Sequence, residues 1–289
     1  MSKPILVGYD GSPTAAAAMK WASLESRSLG VGLNVLVAAP FPSMDFAAGQ
    51  DLVVSADLVE AQSKYADRLL TEAIAIAEQH EVTATGTVVA DEAARSLVHA
   101  ATDMRLVVTG SRGKGGFMGM LLGSVSRQVA THAACSAVVI RSANNPESRR
   151  IVVGVDGSQP ALKALEFAFD LAARHGYEIT VLHTWDVPPV GVLTGLPRRS
   201  TVDALAGLQD QELRVTAEVL AGHSENYPDV VVTQDVRRGS PIKQLTAASE
   251  DAAMVIIGSR GRGGFKGLLL GSVSHGVVHH ASCPVAVVR

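Results

Sequence analysis

Two stretches of this 289-residue chain carry residues of the type and spacing needed to grip an anion. The first runs Val107-Val-Thr-Gly-Ser-Arg-Gly-Lys-Gly-Gly-Phe-Met-Gly-Met-Leu-Leu-Gly-Ser-Val-Ser126, and the second runs Val255-Ile-Ile-Gly-Ser-Arg-Gly-Arg-Gly-Gly-Phe-Lys-Gly-Leu-Leu-Leu-Gly-Ser-Val-Ser274. In each, a β-branched run ends on glycine, a glycine-rich loop follows, and Gly-Ser-Val-Ser opens an amphipathic segment. That order predicts strand, loop and helix N-terminus, where unpaired backbone N–H groups and the positive end of the helix dipole hold negative charge. Glycines let backbone pass close to a ligand. Ser124 and Ser272 are expected to N-cap the two helices and to offer hydroxyls to the same anion.

A carboxylate accompanies each stretch, in the openings Val7-Gly-Tyr-Asp-Gly-Ser12 and Val153-Gly-Val-Asp-Gly-Ser158. Asp10 and Asp156 would repel phosphates, so their natural partners are ribose hydroxyls, base N–H groups or a bridging Mg²⁺. The plainer alternative is an Asx-turn before a helix. Arg112, Lys114, Arg260 and Arg262 are either solvated charges or phosphate contacts. His275 and His279 have zinc-ligand spacing on a helix, but with no third ligand in sight no metal site is expected.

These residues sit in a repeat. Gly110 to Arg141 aligns without a gap on Gly258 to Arg289 with roughly 20 of 32 positions identical, which means two copies of one domain. The expected domains are 1–143 and 149–289, with the polar, Asn-Pro-containing segment Ser142–Ser148 as linker. The first domain should hold strands near Ile5–Asp10, Leu33–Ala39, Val82–Ala90, Leu106–Gly110 and Ala137–Arg141. Helices fall between them, from Ser12 to Ser28, Asp57 to His80, through Leu97 to Ala101 and from Ser124. The second replays the order: Ile151–Asp156, a helix from about Pro160 to His175, Ile179–Thr184, a long helix near Val202–Asn226, Val230–Val236, Pro241–Ser249, Met254–Gly258, a short helix and Val285–Val288. Irregular loops are expected at 40–55 and 186–200. Alternating strands and helices predict α/β architecture, two parallel sheets each covered by helices on both faces. A ligand then lies outside the strand C-termini where the winding reverses; if strands one and four are the central neighbours, Asp10 faces the Gly110 loop across that crevice and Asp156 the Gly258 loop.

Composition narrows the partners. Hydrophobic residues make up 47% and charged residues 18%, enough for packed cores, and a net charge of −3 argues against nucleic acid as a primary partner. No apolar run approaches the length of a membrane helix, and the opening shows no signal-peptide pattern, so a cytoplasmic location is expected. The two cysteines, Cys135 and Cys283, occupy equivalent repeat positions and are expected to be packing residues rather than a disulfide.

Neither of the common phosphate loops fits. Lys114 and Arg262 are followed by glycine rather than a hydroxyl residue, against a P-loop, and the glycines follow the fourth strand rather than the first, against a dinucleotide fingerprint. What fits is Gly-x2-Gly-x9-Gly-Ser, at Gly110, Gly113, Gly123, Ser124 and again at Gly258, Gly261, Gly271, Ser272. With the Val-Gly-x-Asp-Gly-Ser openings, the chain resembles the universal stress protein family in its tandem-domain, ATP-binding form. The resemblance implies doubly wound five-stranded parallel-sheet domains of strand order 3-2-1-4-5, adenine nucleotide alpha hydrolase-like, with one ATP, accompanied by Mg²⁺, in each. Phosphates would rest on Gly113, Gly123, Ser124, Val125 and Ser126 in the first half and on Gly261, Gly271, Ser272, Val273 and Ser274 in the second. Thr109, Gly110, Ile257 and Gly258 would lie under sugar and base, Asp10 and Asp156 would approach the nucleoside, and Val37, Ala38, His183 and Thr184 would touch the base.

No Glu, Gln or His recurs in both loops to activate water, so the expected function is a nucleotide-dependent regulator of the stress response with slow turnover or none. A scaffold with empty clefts, or an enzyme spending ATP, are the rival readings. Each domain ends in an apolar strand, Ala137–Ile140 and Val285–Val288, and such edges seek partners. The expectation is pairing of the two domains, then a homodimer, with unidentified protein partners besides.

Overall fold

The structure, a computed structural model, describes residues 3–39, 56–114, 122–186, 225–263 and 269–289, and within 187–224 only residues 207, 213–214, 217 and 220–223. The irregular loop expected at 40–55, all but Asp186 of that at 186–200, most of the helix expected near 202–226, and the middle of each glycine loop lie outside the described residues. The chain divides into two compact units, Met1–Arg141 and Ser142–Arg289.

In unit 1 the strands are β1 (Ile5–Gly8), β2 (Leu33–Ala38), β3 (Ala84–Val89), β4 (Leu106–Gly110) and β5 (Ser136–Ile140). They form an all-parallel sheet in the order β3-β2-β1-β4-β5, with Gly8 in register with Leu36 on one side and Thr109 on the other. The helices are α1 (Pro13–Leu29), α2 (Ala56–Glu78), α3 (Ala93–Ala100) and α4 (Ser124–His132). Helix α1 starts where the sequence demands: Ser12 accepts a hydrogen bond from the Ala15 N–H at 3.2 Å and Pro13 follows at a position that has no N–H to satisfy. It stops at Gly30, whose φ of 63° takes the left-handed conformation that ends helices. Its buried face is small, Ala15, Ala18 and Ala22 with Met19, so it packs close to the sheet.

On the other face, α3 and α4 cover a cluster of Leu6, Leu36, Leu97, Val107, Val129 and Ala137. Side chains alternate along a strand, so Leu6 and Gly8, Leu36 and Ala38, and Val107 and Thr109 share this face. The cleft opens beyond its strand C-termini.

Unit 2 repeats the plan with β6 (Arg150–Val155), β7 (Glu178–Trp185), β8 (Val232–Arg238), β9 (Met254–Gly258) and β10 (Val285–Val288), in the parallel order β8-β7-β6-β9-β10. Its helices are α5 (Gln159–His175), α6 (Pro241–Ala248) and α7 (Ser272–His280), besides the helical residues before Tyr227. Ser158 caps α5 through the Ala161 N–H and Gly176, with φ of 66°, ends it. Among the described residues no helix is long and apolar enough to cross a membrane. Neither cysteine forms a disulfide.

Candidate functional site

The first strand of each unit delivers its carboxylate into a tight turn. Asp10 Oδ1 accepts the Ser12 N–H at 3.0 Å and Asp156 Oδ1 accepts the Ser158 N–H at 3.0 Å, so the Asx-turn is present in both. The second oxygen does something the turn does not need. Asp10 Oδ2 accepts the Lys114 N–H at 3.0 Å and Asp156 Oδ2 the Arg262 N–H at 2.9 Å, tying the turn to the glycine loop. The carboxylate passes so close to that loop that a Cβ on Gly113 would stand 2.4 Å from Asp10 Oδ2, and one on Gly261 equally close to Asp156 Oδ2. Glycine is required here by approach distance. Burial alone would raise the Asp156 carboxyl, but the Ser158 hydroxyl and N–H, the Arg262 N–H and the Arg262 charge outweigh it and hold the group below its ordinary value.

The loop is anchored from its other end by the first helix. A Cβ on Gly110 would meet backbone atoms of Thr14 and Ala15 at 2.7 and 2.8 Å, and one on Gly258 backbone of Pro160 and Ala161 at 2.6 and 2.8 Å. The Arg112 carbonyl accepts from Ser12 Oγ at 3.1 Å and from the Thr14 hydroxyl, and the Arg260 carbonyl accepts from Ser158 Oγ at 3.3 Å. Strand end, helix start and glycine loop thus form one frame in each unit.

Helices α4 and α7 begin one residue earlier than a serine cap would place them. Gly123 and Gly271 hold the N-cap position, with ψ of 156° and 159°, and no side chain caps either helix, so the expected N-caps Ser124 and Ser272 are instead the first helical residues. The first N–H groups of a helix have no partner within it. The fourth in each case, from Arg127 or His275, bonds to the Gly123 or Gly271 carbonyl, leaving the N–H groups of Ser124, Val125 and Ser126, and of Ser272, Val273 and Ser274, as the turn that can receive an anion. The hydroxyls of Ser126 and Ser274 are turned inward. They donate to the carbonyls of Gly110 at 2.6 Å and Gly258 at 2.7 Å, locking helix to strand end.

A cavity of about 520 Å³ lies between these groups in unit 1, walled by Asp10, Ala38, Thr109, Gly110, Arg112, Gly113, Gly123, Ser124, Val125 and Ser126. The helix start adds Ser12 and Ala15, and the rest of the wall, Gly8, Tyr9, Leu36, Ala93 and Leu97, was not expected there from the sequence. Unit 2 has a cavity of about 260 Å³ against Asp156, Thr184, Ile257, Gly258, Arg260, Gly261, Val273 and Ser274, with Leu182, Trp185, Asp186, Gly239, Ser240, Pro241 and Leu245 added. Gly271 and Ser272 are not on this wall; the Gly271 N–H is spent on the Ser259 carbonyl at 2.8 Å.

Two expected base contacts fall on the wrong face. Val37 is fully buried and lines neither cavity, and His183 turns its Nδ1 to the Val155 carbonyl at 2.9 Å. Both follow from the strand period of two: once Ala38 and Thr184 face the cleft, positions 37 and 183 cannot, and the partners on the cleft side are Leu36 and Leu182.

Tyr9 has no counterpart in unit 2, where Val155 stands. It is buried and donates to Glu72 Oε1 at 2.6 Å, and burial, then the Glu72 hydrogen bond and charge, drive its hydroxyl far above the ordinary tyrosine value. Lys114 leans out of the cleft to donate to the Tyr65 hydroxyl at 2.7 Å, a bond that raises its pKa. The rings of His275 and His279 lie with centroids 4.6 Å apart and tilted by 33°, and no group of three potential metal ligands exists among the described residues.

A family model described as the universal stress protein family matches residues 1–141 and again 147–289. The chain belongs to the universal stress protein family. Among its relatives are Universal stress protein Rv2623 of Mycobacterium tuberculosis, 34% identical over 99% of this chain and 96% of the relative, and Universal stress protein Rv1996 of the same organism, 35% identical over 99% and 94%. A solved universal stress protein from Archaeoglobus fulgidus DSM 4304 matches all of this chain and 97% of its own at a TM-score of 0.71 and 23% identity. One from Pseudomonas aeruginosa UCBPP-PA14, 16% identical over 99% and 93%, matches at 0.65. The parallel five-stranded arrangement in each unit of this universal stress protein is thus the fold of its structural neighbours.

Proposed function

We propose that each unit binds one adenine nucleotide, ATP with Mg²⁺, and that occupancy of the two clefts makes the chain a nucleotide-dependent sensor or switch. One observation carries this reading: in both units a cavity is closed on one side by a helix N-terminus, through Ser124, Val125 and Ser126 in the first and Val273 and Ser274 in the second, and on the other by a carboxylate whose own oxygens already hold the loop. A phosphate chain suits the first side, and the hydroxyls or N–H groups of a nucleoside suit the second. A Mg²⁺ bound by one carboxylate and the phosphates is compatible with the donor set, since Asp10 and Asp156 are the acidic residues on the loop side of each cavity. The cation would offset phosphate charge near them. Binding without rapid turnover is part of the proposal, because the loops share no residue that could activate water. So is association of two chains into a homodimer, which sedimentation velocity decides.

Equilibrium dialysis with ATP tests the central claim. Two equivalents per chain are expected. Ser124→Glu or Ser272→Glu places a carboxylate at one helix N-terminus, on an exposed residue, and each should remove one equivalent. No binding to the unmodified chain would leave a scaffold with vacant clefts as the better reading.

A further inference from the structure

The frames of the two clefts match, but their walls present hydrogen-bonding groups in different places. In the first, Thr109 is 3% exposed, lies on the cavity wall, and its Oγ1 is buried with no hydrogen-bond partner. Folded interiors leave few polar groups in that condition, and those they leave call for a reason. The same position in the second cleft is Ile257, which has nothing to offer. There the hydroxyl is on Thr184 instead, where the first cleft has Ala38.

The sheet converts this exchange into a distance. Thr109 is on β4, Ala38 and its counterpart Thr184 are on β2 and β7, and one strand intervenes in each case. Neighbouring strands are about 4.8 Å apart, so the hydroxyl moves about 10 Å across the cleft from one unit to the other. That is the span of a nucleoside. The phosphates lie at the helix that follows β4 or β9, so along the cleft the sugar comes next and the base lies farthest, over β2 or β7.

Resting on the reading of both clefts as nucleotide sites, we propose that they have different selectivity, the Thr109 hydroxyl reading the sugar in the first and the Thr184 hydroxyl reading the base in the second. The size difference agrees with this division. The first cavity, about 520 Å³, accommodates a ligand loosely at its base end, where Ala38 is small. The second, about 260 Å³, is narrowed at that end by Trp185, which stands where the first unit has Ala39. A closer wall and a hydroxyl at the base end make a site that distinguishes bases.

Single-site proteins separate the two halves of the proposal. In the Ser272→Glu chain only the first cleft binds, and dialysis should show ATP preferred over its 2′-deoxy or 3′-deoxy analogue by about 3- to 10-fold, the worth of one hydrogen bond. Thr109→Val, which keeps the shape, should abolish that preference, and Thr109→Ser should keep it. In the Ser124→Glu chain the second cleft should prefer ATP over inosine or purine riboside triphosphate by a similar factor, lost in Thr184→Val, while the sugar analogues bind alike. Unchanged preferences in both valine variants would overturn the proposal while leaving two working nucleotide sites. Absence of binding to any of these chains would overturn the nucleotide reading along with it.

Discussion

The two clefts of this chain keep one set of residues and vary another. Kept are the carboxylate, the glycine it touches, the glycine under the first helix and the glycine N-cap: Asp10, Gly113, Gly110 and Gly123 against Asp156, Gly261, Gly258 and Gly271. Four of the glycines are fixed by contacts a side chain would crowd, at 2.4 Å for Gly113 and Gly261 and below 3 Å for Gly110 and Gly258. Varied are the walls, Tyr9 against Val155, Thr109 against Ile257, Ala38 against Thr184, Ala39 against Trp185. Within one chain, then, backbone geometry is what the fold holds constant, and side-chain chemistry on the walls is what it lets change.

The strongest way to break this comparison is at the shared frame. Gly110→Ala and Gly258→Ala each drive a methyl into backbone of the first helix of their unit, and each should destabilise that unit by about 3 kcal/mol, measured by urea denaturation. Comparable losses in the two units are expected. A large loss in one unit alone would show that the frames differ after all. Next in size, Tyr9→Phe removes the hydrogen bond to Glu72 and should cost unit 1 about 1 kcal/mol with no effect on unit 2, where the position is Val155.

The smallest effect is electrostatic. The folded carboxyl of Asp156 titrates below its ordinary 3.8, so its contribution to stability is present above that pH and is lost as pH falls through the lower folded value. Denaturation midpoints followed downward from about pH 5 should therefore fall more steeply for the unmodified chain than for Asp156→Asn. Equal slopes would mean that the Ser158 and Arg262 contacts do not favour the charged form.

The frame was legible in the sequence because it is written in glycine, serine and aspartate at fixed offsets and written twice. So was the cap at Ser12, while the strand order came from the family resemblance. The walls were harder to read, for physical reasons. A parallel strand buried on both faces shows no alternation, so nothing in Leu33–Ala38 marked Leu36 rather than Val37 as cleft-facing, and His183 was placed at the base by the family resemblance alone. The offset between Ser124 and the true N-cap is a single residue, within the ordinary uncertainty of helix starts, yet it decides whether the hydroxyl or only the amide faces an anion. Leu97 and Leu245, recurring in the repeat, are the wall residues a comparison of the two copies could have found. Tyr9 could not be found that way, since its position is Val155 in the second copy and its partner Glu72 is 63 positions away.

The bonds from Asp10 to the Lys114 amide and from Asp156 to the Arg262 amide span 104 and 106 positions. The cradle therefore joins the opening of each unit's chain to its last third, and no fragment that ends before the fourth strand can possess it. Under the proposed function, nucleotide affinity would belong to the completely closed unit alone, and a ligand held there would draw the balance from every partly folded form toward that finished one, with a strength set by its concentration.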